Sequence, residues 1–148
     1  MKKPFIVMMI ILFCIILGIG FIYSNYTIQV KQAKEENKQY EYYLGKRVYG
    51  SDVATLINKA VDNNEKNQVQ KDSKGNYINN EENSIQIDLD IVEVKKTYPM
   101  ESIYQAQIKE FMKNFGDIQF ECKKIEYHEK TGKIKYMLFE EVLPETNT

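Results

Sequence analysis

The chain has 148 residues and a mass of 17.5 kDa, which leaves room for one folded domain. Its 20 basic and 21 acidic side chains give a net charge of −1, which offers a phosphate backbone little to bind and argues against a nucleic-acid partner. A content of 43% hydrophobic and 28% charged residues is typical of a globular protein.

The first segment is a long apolar run. Residues 4–23 contain no charged side chain and, at about 1.5 Å per residue, can cross a hydrocarbon core of about 30 Å. A cleaved signal peptide is the alternative, but its apolar region is usually shorter, about 7 to 15 residues. Bulky Phe21, Ile22 and Tyr23 also stand where a signal peptidase needs small residues. The sequence therefore predicts an uncleaved transmembrane anchor over residues 1–23.

Lysines flank this run on both sides. Lys2 and Lys3 adjoin it directly, whereas the first lysine on the other side, Lys31, lies eight residues beyond Tyr23. Because positive charge near a span favours the cytoplasmic side, we expect a cytoplasmic N-terminus and an extracytoplasmic domain at the cell membrane.

A helical pattern continues beyond the membrane over residues 24–44. Large or apolar side chains recur at alternating spacings of four and three, which predicts one stripe on a helix: Tyr26, Val30, Ala33, Asn37, Tyr40 and Leu44. Two interpretations of this self-association stripe stay open. It either mediates contact between copies of the chain or packs on the chain's own domain, and both can hold at different depths of the helix.

The remaining residues, 45–148, predict a small extracytoplasmic domain. Residues 45–50 are interpreted as a connecting loop, and a second helix is predicted from an N-cap at Ser51 to about Asn64. Its apolar face comprises Val53, Leu56, Ile57, Ala60 and Val61. The polar stretch 62–83 is expected to form a short exposed hairpin around Gly75.

Strands and a third helix follow. Strict alternation of Ile85, Ile87, Leu89 and Ile91 with polar residues predicts a half-buried strand. A helix is predicted from Pro99 to residue 115. The last part is interpreted as a hairpin whose first strand carries Ile118, Phe120 and Cys122, with a bulge near Lys123 and Lys124, and whose turn spans residues 129–133. Its return strand is expected to carry Ile134, Tyr136 and Leu138.

The fold class is therefore α+β. A long N-terminal transmembrane helix continues into an extramembrane helix, and a small domain follows with two helices and an antiparallel sheet of about four strands.

Residues capable of catalysis or metal binding do not converge in this pattern. The only histidine, His128, is expected at a solvated hairpin end, and Glu126 can approach it but Glu129 cannot easily join them. Asp88 and Asp90 share the wet face of a strand, and Cys122 is expected to be a buried apolar side chain. We therefore predict no enzymatic activity, no metal, no cofactor and no small-molecule substrate.

The segment 143–146 reads LPET and resembles the sorting signal that sortases attach to Gram-positive cell walls. Asn147 follows where glycine is usual. A chain already anchored at its N-terminus has little need of a second attachment, so we expect no sorting role.

The order of these elements resembles type IV pilins and pseudopilins: a short basic start, an unbroken apolar run, its continuation as a striped helix, and a small α+β domain. The resemblance implies a non-enzymatic subunit whose apolar helix halves bundle in a filament or secretion pseudopilus. Residues 5–23, beginning at Phe5, would be the packing segment, with small side chains at Cys14, Gly18, Gly20 and Ser24 for close helix approach. Lys3 and Pro4 stand where pilin precursors carry the glycine of their processing site.

The function predicted from the sequence is that of a single-pass membrane-anchored structural or interaction protein, such as a pilin-like or pseudopilin-like subunit. Its expected partners are the membrane and either further copies of itself or another membrane protein. The alternative is a monomeric anchored module that binds an envelope partner or ligand through the open sheet face or the polar hairpin.

Overall fold

The computed structural model describes residues 2–105 and 108–143. Within these residues, four helices and five strands follow in the order α1 (Lys2–Glu41), β1 (Arg47–Tyr49), α2 (Gly50–Lys66), β2 (Gln86–Ile91), β3 (Lys96–Pro99), α3 (Met100–Gln105), α4 (Ile108–Phe115), β4 (Gln119–Tyr127) and β5 (Ile134–Glu141). The α+β class with a long N-terminal helix is confirmed.

Helix α1 runs without interruption for 40 residues, which corresponds to about 60 Å. It is long and apolar enough to cross a membrane by length and composition, and none of its most apolar window is buried. It ends three residues before Leu44 in a turn, where the Tyr43 N–H donates to Tyr40 O at 3.0 Å and Gly45 adopts a φ of +67°. A positive φ costs glycine least, so Gly45 allows the chain to leave the helix axis here.

The sheet has the strand order β1-β4-β5-β2-β3. Three of its four pairings are antiparallel, but β2 and β5 are parallel neighbours, with Leu89 opposite Phe139. The sequence predicted about four strands, all antiparallel. The additional strand β1 lies in the segment interpreted as a loop, and with β1 and β3 three and four residues long, neither is long enough for a period of two to be recognised.

Helix α2 covers one face of the sheet. The five apolar side chains predicted for its buried face are all between 0 and 1% exposed, and the alternation predicted for β2 is confirmed, with Ile85, Ile87, Leu89 and Ile91 buried. These side chains meet Phe120 and Phe139 in the core.

The start of α2 lies one residue before the predicted cap at Ser51. Gly50 is the first helical residue, and a Cβ at this position would lie 2.0 Å from Phe115 O at the end of α4. The Gly50 N–H donates to Ile118 O at 2.8 Å. Only glycine permits this close approach of two backbones.

The helix predicted from Pro99 differs in its bounds. Pro99 is the last residue of β3, and the helical residues that follow belong to α3 and α4. Strand β3 is an edge strand, where a residue without an N–H is tolerated. The apolar spacing of this segment predicts one buried side with Ile103, Tyr104, Phe111 and Met112 on it. Ile103 and Phe111 are buried, whereas Tyr104 and Met112 are exposed.

The hairpin of β4 and β5 contains two irregularities. The ladder pairs Cys122 with Phe139 and then Lys124 with Leu138, so Lys123 is the predicted bulge. A second shift follows, because Glu126 pairs with Tyr136 while Tyr127 pairs with Ile134. Strand β5 contains Ile134, Tyr136 and Leu138, as predicted for the return strand, but the second shift places Met137 and Phe139 at the buried positions and leaves Tyr136 and Leu138 half-buried.

The predicted turns are confirmed at both hairpins. Gly132 adopts a φ of +67° in the turn between β4 and β5. In the polar stretch, Lys71 bridges Tyr77 in antiparallel fashion, and Gly75 adopts a φ of +86° between them.

Candidate functional site

The large apolar side chains of residues 5–23 are not covered by any other part of the chain that the structure describes. Every large apolar side chain from Phe5 to Tyr23 is at least half exposed, and Cys14 and Ser24 are exposed as well. A Cβ added at Gly18 or Gly20 would meet no heavy atom within 4 Å. The predicted packing residues therefore lie on a helix surface that is open to contacts from outside the chain.

The self-association stripe of residues 26–44 divides into two parts. Tyr26 is 63% exposed and Val30 is half-buried, whereas Ala33, Asn37 and Tyr40 are buried against the domain. Leu44 lies past the end of α1 and is half exposed. The N-terminal part of the stripe, Tyr26 and Val30, is thus available to a partner. The part from Ala33 to Tyr40 is already covered by the chain's own domain.

Asn37 fastens α1 to that hairpin. Its Nδ2 donates to Gly132 O at 2.8 Å, and its Oδ1 accepts the Ile134 N–H at 3.0 Å. Lys133 Nζ lies 2.8 Å from a carboxylate oxygen of Glu36. The Asn37 side-chain amide therefore supplies hydrogen-bond partners to two backbone groups of the turn, Gly132 O and Ile134 N–H, that strand pairing leaves without a partner.

Tyr40 completes this junction from the apolar side. It belongs to the core, and burial together with the nearby Glu36 and Asp62 carboxylates raises the pKa of its phenol to about 12. Neutral at physiological pH, the Tyr40 ring joins α1 to α2 without a buried charge.

His128 and Asn64 hold the loop that precedes β2. His128 is 3% exposed, and its Nε2 lies 2.7 Å from Ser84 O. Because a carbonyl only accepts, the neutral ring carries its proton on Nε2. Burial lowers the pKa of His128. The expectation of a solvated histidine was wrong, because the loop before β2 folds over the hairpin end.

The sequence gives no clear signal that His128 and Asn64 are buried hydrogen-bonding residues. Asn64 is fully buried and makes two 2.8 Å hydrogen bonds with the backbone of Ile85. It follows the apolar face of α2 at a spacing of three from Val61, which is the one hint that it points inward.

An apolar pocket of about 240 Å³ opens beside the edge strand β3. Leu89, Ile91 and Tyr98 form its sheet side and Ile103, Phe111 and Phe115 its helix side, while Ser102, Glu110 and Asn114 supply the polar groups. A dry cavity of about 150 Å³ can hold a benzene-sized molecule, so this pocket can receive one apolar side chain.

The sheet face away from α2 carries carboxylates. The register places Glu121, Glu140 and Asp90 side by side across three strands, and Thr97 donates to Asp90. The Tyr136 hydroxyl donates to Asp88 at 3.1 Å, and burial raises the pKa of Asp88. Such a row keeps the face solvated.

Cysteine and metal chemistry receive no structural support within residues 2–105 and 108–143. Cys122 is 1% exposed, as expected, and burial raises the pKa of its thiol to about 11, so little thiolate forms at neutral pH. Among the described residues, no group of three or more His, Cys, Asp or Glu side chains is placed to hold a metal ion. Of the LPET segment, only Leu143 lies within the described residues.

Comparison with known proteins adds no relative. No model of a known protein family matches the chain, and neither a search of curated proteins nor one of solved structures found a match.

Proposed function

We propose that the protein is a single-pass membrane protein with a cytoplasmic N-terminus and an extracytoplasmic domain, and that it acts as a non-enzymatic subunit of a pilin-like or pseudopilin-like assembly. The observation that carries the proposal is the division of α1 into two halves. Its N-terminal half exposes every large apolar side chain, and its C-terminal half is fastened to a folded domain through Ala33, Asn37 and Tyr40.

Small residues support self-association within the membrane. Gly18 lies four residues after Cys14, and Gly20 four before Ser24, which is the spacing that lets helix backbones approach closely in lipid. Apart from the neighbouring residues and backbone of the helix itself, no heavy atom of the described chain lies within 4 Å of an added Cβ at either glycine. A larger side chain there leaves the fold of this chain intact but separates two packed copies.

The test replaces both glycines by leucine. We expect Gly18→Leu with Gly20→Leu to lower cross-linked oligomers in cells and recovery in sheared surface filaments, while the thermal unfolding midpoint of the domain stays unchanged. The matched control is Leu17→Ile, an apolar exchange on the same helix. Oligomer yields equal to those of the unaltered protein would contradict the assembly.

Orientation has its own test. Val94 is 59% exposed in the turn between β2 and β3. With Cys14→Ser as background, Val94→Cys is expected to react with a membrane-impermeant maleimide in intact cells. Reaction only after cell lysis would contradict the extracytoplasmic domain.

The apolar pocket beside β3 favours a second candidate, a monomeric anchored binding module. In that case the leucine variant behaves as the unaltered protein does, and a photoreactive residue at Asn114 forms an adduct with a different envelope protein. Ser102→Trp, which places a bulky ring at the pocket, is then expected to abolish that adduct.

A further inference from the structure

The hairpin of β4 and β5 runs back along α1 toward the apolar segment. Leu44 bridges Cys122, the Tyr127 hydroxyl donates to Glu41 at 2.9 Å, and Lys133 pairs with Glu36. Contacts later in the hairpin thus involve progressively earlier residues of the segment 36–44. The end of the domain that lies closest to the membrane segment consists of residues 79–83 and 129–133, named here the domain tip.

The two parts of the domain tip are joined to each other. The Thr131 hydroxyl donates to Glu82 O at 2.7 Å, and the Lys130 ammonium pairs with the Glu82 carboxylate. The hairpin and the loop before β2 together therefore hold the domain tip in its position relative to α1.

A cleft of about 410 Å³ lies between the domain tip and α1. Its α1 side is formed by Tyr26, Gln29, Val30 and Gln32, and its tip side by Glu82, Asn83, Lys130, Thr131 and Lys133. By helix rise, Tyr26 stands about 4.5 Å and Gln32 about 13.5 Å beyond Tyr23, the last residue of the apolar run. The headgroup layer on each side of a bilayer is about 5 to 8 Å thick, so the lower part of the cleft lies at headgroup height.

The cleft is rich in hydrogen-bond donors. A phenol, three carboxamides, a hydroxyl and two ammonium groups line it. The Thr131 hydroxyl donates to Glu82 O, Lys130 pairs with Glu82 and Lys133 pairs with Glu36. The donors for a ligand are therefore the phenol, the carboxamides and the further N–H groups of the two ammonium ions. Phosphate oxygens accept hydrogen bonds and carry negative charge, so they suit such a lining. Tyr26 is also a residue type that favours the membrane interface.

We propose that this cleft seats the phosphate-bearing headgroup of a phospholipid from the membrane that α1 spans. The proposal rests on the membrane anchor proposed above. A seated headgroup fixes the height and tilt of the domain, which a helix exposed on all sides at residues 24–29 does not do by itself.

The first test measures the height of the domain tip. Full-length protein with Cys14→Ser is reconstituted in nanodiscs of phosphatidylglycerol and phosphatidylethanolamine, and a bimane fluorophore is attached at Glu129→Cys or at Val94→Cys. Cys122 stays in place because it is 1% exposed. Val94 is a suitable control because the eight residues of β5 separate the two ends of the sheet by about 26 Å.

Nitroxide on lipid headgroups is expected to quench the fluorophore at position 129 several-fold more strongly than the one at position 94. Equal quenching at both positions overturns the proposal, because the domain tip then does not lie at the headgroups.

The second test measures lipid occupancy. Gln29→Glu places a carboxylate in the cleft, and the matched control Thr27→Glu adds the same charge at nearly the same height, outside the cleft lining. Native mass spectrometry of protein released from the same nanodiscs is expected to show several-fold fewer retained phospholipids for Gln29→Glu, and no change for Thr27→Glu. Equal retention by both variants overturns the proposal.

Two further experiments distinguish a lipid headgroup from a free anion and test the membrane anchor itself. Inorganic phosphate added before release is expected not to displace the lipid, and displacement would assign the cleft to a free anion instead. Extraction with alkaline carbonate tests the anchor. Release of the protein would contradict the proposed membrane anchor itself, whereas an integral protein without lipid retention contradicts only the headgroup site.

Discussion

Two buried asparagine side chains join segments that are far apart in the sequence. Asn64 connects the end of α2 to the start of β2, and Asn37 connects α1 to the turn before β5. Each uses both its donor and its acceptor on backbone groups, which a methyl or an acid cannot do. Burying an amide is favourable only when it is paired in this way.

Asn64→Ala is expected to lower the free energy of unfolding by about 2–4 kcal/mol, since the N–H and the C=O of Ile85 both lose their partner. Chemical denaturation of the full chain in detergent measures the change. Asn114→Ala, on the exposed face of α4, is the control and should stay within about 0.5 kcal/mol of the unaltered protein. Equal effects of the two substitutions would show that Asn64 is not the anchor described.

His128 makes the stability of the domain depend on pH. Burial lowers its pKa in the folded state below the ordinary value of 6.5, so the unfolded chain binds the proton more tightly. Its contribution is fully present above pH 6.5 and is lost as the pH falls through the lowered folded pKa.

We expect the thermal midpoint to fall as the pH is lowered from 7.5 to 5, and His128→Gln to flatten this dependence. The chain has one histidine, so no second imidazole contributes in this range. A slope that is the same in His128→Gln as in the unaltered protein would assign the dependence to carboxylates instead.

At the scale of elements, the regular features could be predicted and the irregular ones could not. The alternation in β2 and the apolar face of α2 follow from periods of 2 and 3.6, and both were confirmed. The second irregularity in the hairpin shifts Tyr136 and Leu138 to the outer face, and one displaced residue is enough to reverse a strand with period 2. Strand β1 and the parallel pairing of β2 with β5 depend on tertiary contacts, for which local sequence carries no signal.

Gly50→Ala is expected to destabilise the domain by about 2–3 kcal/mol or more, because the new Cβ overlaps Phe115 O and α2 must shift away from α4. Urea titration of the full chain measures it.

The matched control is Gly45→Asn. Gly45 has a positive φ but open space around it, and asparagine tolerates that conformation, so the cost should be about 1 kcal/mol or less. A larger loss at Gly45 than at Gly50 would contradict the close approach of α2 and α4.

At the scale of the whole molecule, α1 belongs to two environments. Its apolar segment faces outward, while Ala33, Asn37 and Tyr40 are as buried as the core of the domain. The stripe indicated from the sequence that one side of this helix is covered. The sequence could not predict which residues of the stripe contact a partner helix and which contact the chain's own hairpin, because both kinds of packing favour the same spacing of apolar residues. The cleft between α1 and the domain tip could not be predicted either, since it depends on how the hairpin folds back along α1.

A version beginning at Ser24 is therefore expected to unfold cooperatively with the same thermal midpoint as the full chain. A version beginning at Gly45 lacks Tyr40 in its core and the Asn37 hydrogen bonds, and it should lose the cooperative transition. Circular dichroism during heating compares the two. A stable, cooperative domain without residues 1–44 would show that the α1 contacts contribute little.

The position of β5 in the sheet governs when this protein can fold during its synthesis. Strand β5 lies between β4 and β2, yet it is the last of the described elements to leave the ribosome. The partners Leu89 and Phe139 of the central pairing lie 50 positions apart in the chain. Contacts of such high sequence separation are slow to form. Helix α1 is complete before any strand of the sheet has been synthesised. The hairpin of β4 and β5 therefore closes against a helix that has already been synthesised, through the contacts of Asn37 with Gly132 and Ile134.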